Sequence, residues 1–353
     1  MKFLSIAVAP AFAVLLITAG AQERPKKIDE MTDTQQKAIE KGFNWLVKTQ
    51  GRDGLWGCEK ASSPSTAITA LAVLALCASG STPAEGPYAR NIHLGIERLL
   101  AVQAASGQIS RGVDVTSMGL FYDHSCATLC LAEVLGMTRD IEQERVRSGL
   151  EKAVGFLYKT QGPDGGWDPQ GSGGPGDIAI TCNVWMALRA AHNAGITIEN
   201  ASVEKVESFV TKCALPRGGF SQYVNERGQG RMFYPTAAGL RILMGMGKND
   251  LKEVEDGSEI LIKKKLGEDY GGQISEWDYC AAFFAVQAMM HDGDSRNRYW
   301  SRWFPAFRDV IVKIQNADGS WSIQYCTQCR AYATALSLLV LQAPKRLLPI
   351  FQL

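Results

Sequence analysis

Asp123 and His124 stand side by side in Tyr122-Asp123-His124-Ser125, just ahead of an apolar run. A carboxylate and an imidazole are the materials of general acid–base chemistry. Neighbours on a helix do not face each other, so they form two separate catalytic candidates rather than a dyad. Asp177 is the third. It precedes the apolar run Ile178 to Ala191, where an aspartate also serves as an N-cap. Cys58, Cys326 and Cys329 offer other chemistry, since Cys326-x-x-Cys329 has zinc-ligand spacing that Cys58 and one of the four histidines could complete. The same thiols are disulfide candidates in an oxidising compartment, or a redox-active pair at a helix N-terminus. No metal and no cofactor is assigned from this pattern.

Tyr122, Trp185, Tyr234, Trp277, Tyr279 and Phe283 lie at the starts of apolar runs or within them, with Asp278, Phe284 and Tyr325 nearby. Aromatic walls with few polar groups suit an isoprenoid or other apolar ligand, whose alkenes meet π faces. Aromatics at helical spacing also fill cores.

These residues are positioned by a repeat. Gln50 to Trp56, Gln161 to Trp167 and Gln315 to Trp321 each read Gln, two residues, Asp-Gly, one residue, Trp. Each follows an amphipathic stretch and precedes an apolar one, which makes the unit helix, glycine turn, helix. Weaker copies centre on Gly107, Gly218 and Gly272 beside Gly54, Gly165 and Gly319, giving six units. The second stretch of each unit is apolar nearly all round, as in Thr66 to Leu76, and belongs inside; the first carries charge on one face. The expected fold is all-α, a double barrel of six inner and six outer helices. All six inner helices should then start on one rim, where their N-terminal dipoles would welcome an anion.

Lys2, the apolar run Phe3 to Ile17 and Ala19-Gly20-Ala21 read as a signal peptide over residues 1–21, cleaved near Ala21. Its loss implies export to a periplasmic or extracellular space and leaves no transmembrane span. Residues 22–34 read as a charged leader and residues 35–353 as a single domain of six helix pairs. Without Lys2 the 37 basic residues become 36 against 36 acidic ones, so nothing points to nucleic acid as a partner. The chain holds nine cysteines, an odd number, so at least one is unpaired. Leu347-Leu348-Pro349-Ile350-Phe351 is too short to span a membrane and reads as a strap closing the ring.

Gln-x-x-Asp-Gly-x-Trp before an inner helix resembles the repeat of squalene-hopene cyclases and the related repeat of protein prenyltransferase β subunits. Tyr122 to Thr128, Gly176 to Thr181 and Trp300-x-x-Trp303-Phe304-Pro305 look like those of secreted bacterial squalene-cyclase-like repeat proteins. The resemblance implies an α/α toroid with a central pit for an isoprenoid and a possible cyclase or lyase activity. Two departures bear on that. Ala179 stands where the cyclases' proton donor falls in Asp177-Ile178-Ala179-Ile180-Thr181, and Tyr234-Pro235-Thr236 and Ala333 stand where the prenyltransferases hold zinc. The rival expectation is a non-catalytic scaffold for a protein or an envelope polysaccharide.

Overall fold

The computed structural model describes residues 31–58, 63–110, 118–224, 226, 232–291, 299–324 and 329–352. The expected signal peptide, residues 22–30 of the expected leader, Tyr325 and Cys326 lie outside them.

Twelve α-helices alternate between two layers among the described residues. The outer ones are α1 (Asp33–Lys48), α3 (Ala89–Ala101), α5 (Asp140–Lys159), α7 (Asn200–Cys213), α9 (Lys252–Lys263) and α11 (Trp300–Lys313). The inner ones are α2 (Thr66–Cys77), α4 (Leu120–Val134), α6 (Ile178–Asn193), α8 (Phe233–Gly245), α10 (Glu276–His291) and α12 (Arg330–Gln342). Each inner helix packs on the next, α12 packs on α2, and α1 packs on α11 and α12, so the ring closes. Sequence dictates the layering: every residue of α2 is buried, whereas α9 buries only the stripe Val254, Gly257, Ser258 and Leu261. The ordered chain starts earlier than residue 35. Thr32 and Gln35 form a reciprocal capping box that opens α1, so the last residues of the expected leader belong to the first helix.

The repeated motif is a set of structural bonds. Gln50, Gln161 and Gln315 each donate to the carbonyl of their own turn glycine and to a carbonyl of the next outer helix in the ring, that of Asn91, Ser202 and Ala38 respectively. Gln103 does the same in the second unit, toward Gly107 and Gly149. The indoles of Trp56, Trp167 and Trp321 donate to Leu46, Leu157 and Ile311, carbonyls in the last turns of the preceding outer helices. These carbonyls lie where a helix end runs short of regular partners, and at Leu46 and Leu157 the tryptophan shares the acceptor with Thr49 and Thr160. Asp53, Asp164 and Asp318 accept the N–H two residues on and fix the bend. All six marker glycines take positive φ. At Gly165 this is obligatory twice over, because φ is 96° and a Cβ would run into the Lys205 carbonyl of α7.

Two further ties close the molecule. A disulfide joins Cys58 in the first unit to Cys329 at the start of α12, 271 residues away in sequence. The C-terminal segment carries the short helical turn Pro349–Phe351 against α6 and α10, with Leu348 and Phe351 buried. Phe351 meets Phe283 edge-on at 6.4 Å, and the Ile350 N–H donates to Glu133 Oε2 at 3.0 Å. The expected strap is therefore present, and it closes the barrel from the side where the inner helices end.

Candidate functional site

At the rim where the inner helices start, each polar candidate is bound into the backbone. Asp123 reaches across to the neighbouring helix, where Oδ1 accepts the Ala67 N–H of α2 at 2.8 Å and the Ser65 hydroxyl at 3.3 Å. Asp177 caps α6: Oδ1 accepts the N–H groups of Ala179 (2.7 Å) and Ile180 (3.2 Å), and Oδ2 accepts the Gln222 amide at 2.6 Å. Burial raises the Asp177 carboxyl above the ordinary range against the pull of those bonds. Asp278 accepts from the backbone of Gly267 and from both the N–H and the hydroxyl of Ser275. Helix N-termini expected to welcome a foreign anion thus hold the chain's own carboxylates.

His124 has an equally local task. In three units the N–H of the motif tryptophan donates to a threonine of the following inner helix: Trp56 to Thr69, Trp167 to Thr181 and Trp321 to Thr334. In the second unit Ile109 takes the tryptophan's place, and its N–H donates to His124 Nδ1 at 3.0 Å. The imidazole lies edge-on to Phe121 and Phe156, and burial lowers its pKa to about 3. It is therefore neutral at physiological pH and occupies the position of the threonine.

The six aromatic candidates separate into four groups. Tyr122 and Tyr332 meet across the bore with their hydroxyls 2.9 Å apart, and Tyr122 points at the Cys280 thiol, so α4, α12 and α10 close the channel there. Tyr279 donates to the Ser322 carbonyl, and Phe283 is packed between Phe284 and Phe351. Tyr234 and Trp277 pair at 4.8 Å near the rim, with Trp277 partly buried. Trp185 alone borders a described cavity.

That cavity, of about 310 Å³, opens beside the C-terminal ends of α6 and α8. Trp185, Leu188, Ile198, Val203 and Met246 supply its apolar surface, and Arg189, His192, Glu207 and Lys248 its polar groups. Gly245 makes room for the indole that walls it, because a Cβ there would collide with Trp185 and with the guanidinium of Arg241. Two cations flank the indole, Arg241 at 5.0 Å and Arg189 at 5.5 Å from the ring centroid. Arg189 also donates to the Gly245 carbonyl. Arg241 is buried, its Nε donating to Gln287 Oε1 at 2.9 Å and its Nη1 lying 3.3 Å from His291 Nε2. Burial lowers its pKa to about 10, so it stays charged. His291 stands at the C-terminal end of α10, where a cation would favour the helix dipole. Burial, then the nearby charges of Arg241 and Arg189, lower its pKa to about 3, so it is neutral.

Arg189, Arg241 and Glu133 belong to no motif. The signal that marks them is a charge inside an otherwise apolar inner-helix run, which is costly unless something compensates it. Elsewhere, the described free cysteines, Cys77, Cys126, Cys130, Cys182, Cys213 and Cys280, are buried and behave as small hydrophobes. Ligand-type atoms of His93, Glu97 and Glu142 gather within 4.8 Å on the outer surface, but Arg145 grips both Glu97 oxygens at 2.9 Å.

Residues 24–166 and 95–291 each match the prenyltransferase alpha-alpha toroid domain. The chain belongs to that family. Its sequence is 35% identical over 97 residues to lanosterol synthase of Saccharomyces cerevisiae, a match that spans 26% of this chain and 13% of that enzyme. In fold it is similar to a variant of the type II terpene cyclase MstE from Scytonema solved with geranylgeranyl dihydroxybenzoate. That likeness has a TM-score of 0.58 at 14% identity and covers 88% of this chain and 97% of the cyclase. An inactive alpha-1,6-mannanase variant, GH76A of Salegentibacter sp., superposes with a TM-score of 0.64 at 7% identity, over 89% of this chain and 99% of the mannanase. At such identities the likeness is one of architecture, shared by terpene cyclases and glycosidases.

Proposed function

We propose that the protein is an exported toroid that binds an isoprenoid or another apolar molecule, and that Trp185 forms the wall of its binding site. The observation that carries this reading is the cavity beside Trp185, which combines apolar walls with a few convergent polar groups and lies at the lower end of the size range of ligand pockets. Family membership and the isoprenoid bound by the Scytonema cyclase support the choice of ligand class. The apolar N-terminal run and the Cys58–Cys329 disulfide support export. Binding is favoured over proton transfer because Asp123, His124 and Asp177 are each held by backbone groups.

Titration with geraniol, followed by calorimetry, tests the reading. Trp185→Ala is expected to weaken binding by about 1 to 3 kcal/mol through lost aromatic contact, with the fold intact by circular dichroism. Equal affinity in a folded variant would remove Trp185 from the site. If no apolar ligand binds the wild type, the rival reading of a scaffold for a protein or envelope polysaccharide takes its place.

A further inference from the structure

Two guanidinium groups share one indole at the back of the cavity, and among the described residues neither forms an ion pair with a carboxylate. Buried charges are ordinarily paired, since an unpaired one is costly to desolvate. Among the described residues Arg241 hydrogen-bonds to neutral partners, the Gln287 carbonyl and the His291 imidazole. The carboxyl that acts on it from α4, Glu133, is engaged by the Ile350 N–H, and burial raises its pKa to about 8, so it is mainly protonated at neutral pH. The last-turn carbonyl of Gly245 offsets part of the charge on Arg189. At the mouth, Lys248 pairs with Glu207 at 2.8 Å, which cancels both. The balance around the cavity is therefore positive, with apolar Leu188, Ile198, Val203 and Met246 leading outward from it.

We infer that the cavity takes a single-chain amphiphile whose anionic head, a carboxylate or a phosphate monoester, lies against Arg189 while its chain runs along Trp185 and Met246. The inference rests on the reading of this cavity as the apolar-ligand site and adds a charge to the ligand. A planar guanidinium meets either head with two parallel N–H donors, which a lysine cannot do. Arg241 acts from behind the indole by holding a positive potential over the head without touching it.

Three probes of one chain length separate the contributions: decanoate, decyl phosphate and decanol, each titrated below its aggregation limit and read by calorimetry. At least one of the two anions should bind ten-fold or more tightly than the alcohol, and the stronger anion identifies the head group. Arg189→Gln should bring that ratio down to near one, and Arg189→Lys should restore part of it, since the charge survives while the second parallel N–H donor is lost. Equal affinity of the wild type for decanol and both anions would overturn the inference and leave the apolar site standing. A preference that survives unchanged in folded Arg189→Gln would overturn it as well. Failure of all three probes to bind would remove the site itself, and the inference with it.

Discussion

Glu133 and the two buried imidazoles set how the fold responds to pH, and they do so in opposite directions. Burial raises the Glu133 carboxyl from its ordinary 4.5 to about 8, so the native state keeps a proton that the unfolded chain has released. Its contribution to stability is full below about 4.5 and is lost as pH rises toward about 8, at no more than about 1.4 kcal/mol per pH unit. His124 and His291 are lowered from 6.5 to about 3, so their contribution is full above 6.5 and lost as pH falls. Glu133→Gln still accepts the Ile350 N–H, yet it should flatten the alkaline side of the stability profile. Urea midpoints at about pH 6 and about pH 9 should differ less in the variant than in the wild type; an identical difference would place the alkaline loss elsewhere. Asp177→Ala removes a cap and one of the two acceptors of the Gln222 amide, and should cost about 1 to 2 kcal/mol without changing the denaturant slope. The cap was legible from an aspartate before an apolar run. The role of Asp123 was not, because its partner Ala67 lies on another helix, 56 residues away.

Among the elements, the turns were the most readable part of the chain. Gln, Asp, Gly and Trp recur because each closes a different bond of the same reversal. Less readable was the threonine that receives the tryptophan's N–H, since the gap between them is 13 residues in two units and 14 in the third. His124, 15 residues beyond Ile109, hid the same device under a residue type associated with catalysis. Replacing Thr69, Thr181 or Thr334 by valine keeps the shape and leaves a buried N–H without its acceptor. Each change should cost about 1 to 3 kcal/mol in chemical denaturation, and a set of neutral effects would show that the turns are held by glutamine and glycine alone. The cavity arises where elements end rather than where they begin. Sequence patterns point to the opposite rim, because dipoles and aromatics can be counted there, whereas the gap beside Trp185 depends on packing between helices, including the close seat of the indole on Gly245.

For the whole molecule, closure of the ring joins the local units into one structure. Helix α1 packs on α11 and α12, and the Cys58–Cys329 bond ties the same two ends of the chain together. Removing it with Cys58→Ser and Cys329→Ser together should lower stability by about 5 to 6 kcal/mol in the chain-entropy model for a loop of this length. A loss below about 1 kcal/mol would mean that packing between the first and last units already restricts the unfolded chain. On the proposed function the toroid holds an apolar ligand at Trp185, while its rim carboxylates and His124 serve the fold. Native mass spectrometry of the protein purified from the cells that make it, coupled to lipid extraction, tests this most directly. A stoichiometric apolar adduct on the wild type, lost from folded Trp185→Ala and retained in folded Asp177→Asn and His124→Gln, is the predicted result. An adduct that persists in Trp185→Ala, or one that disappears with Asp177 or His124, would contradict it.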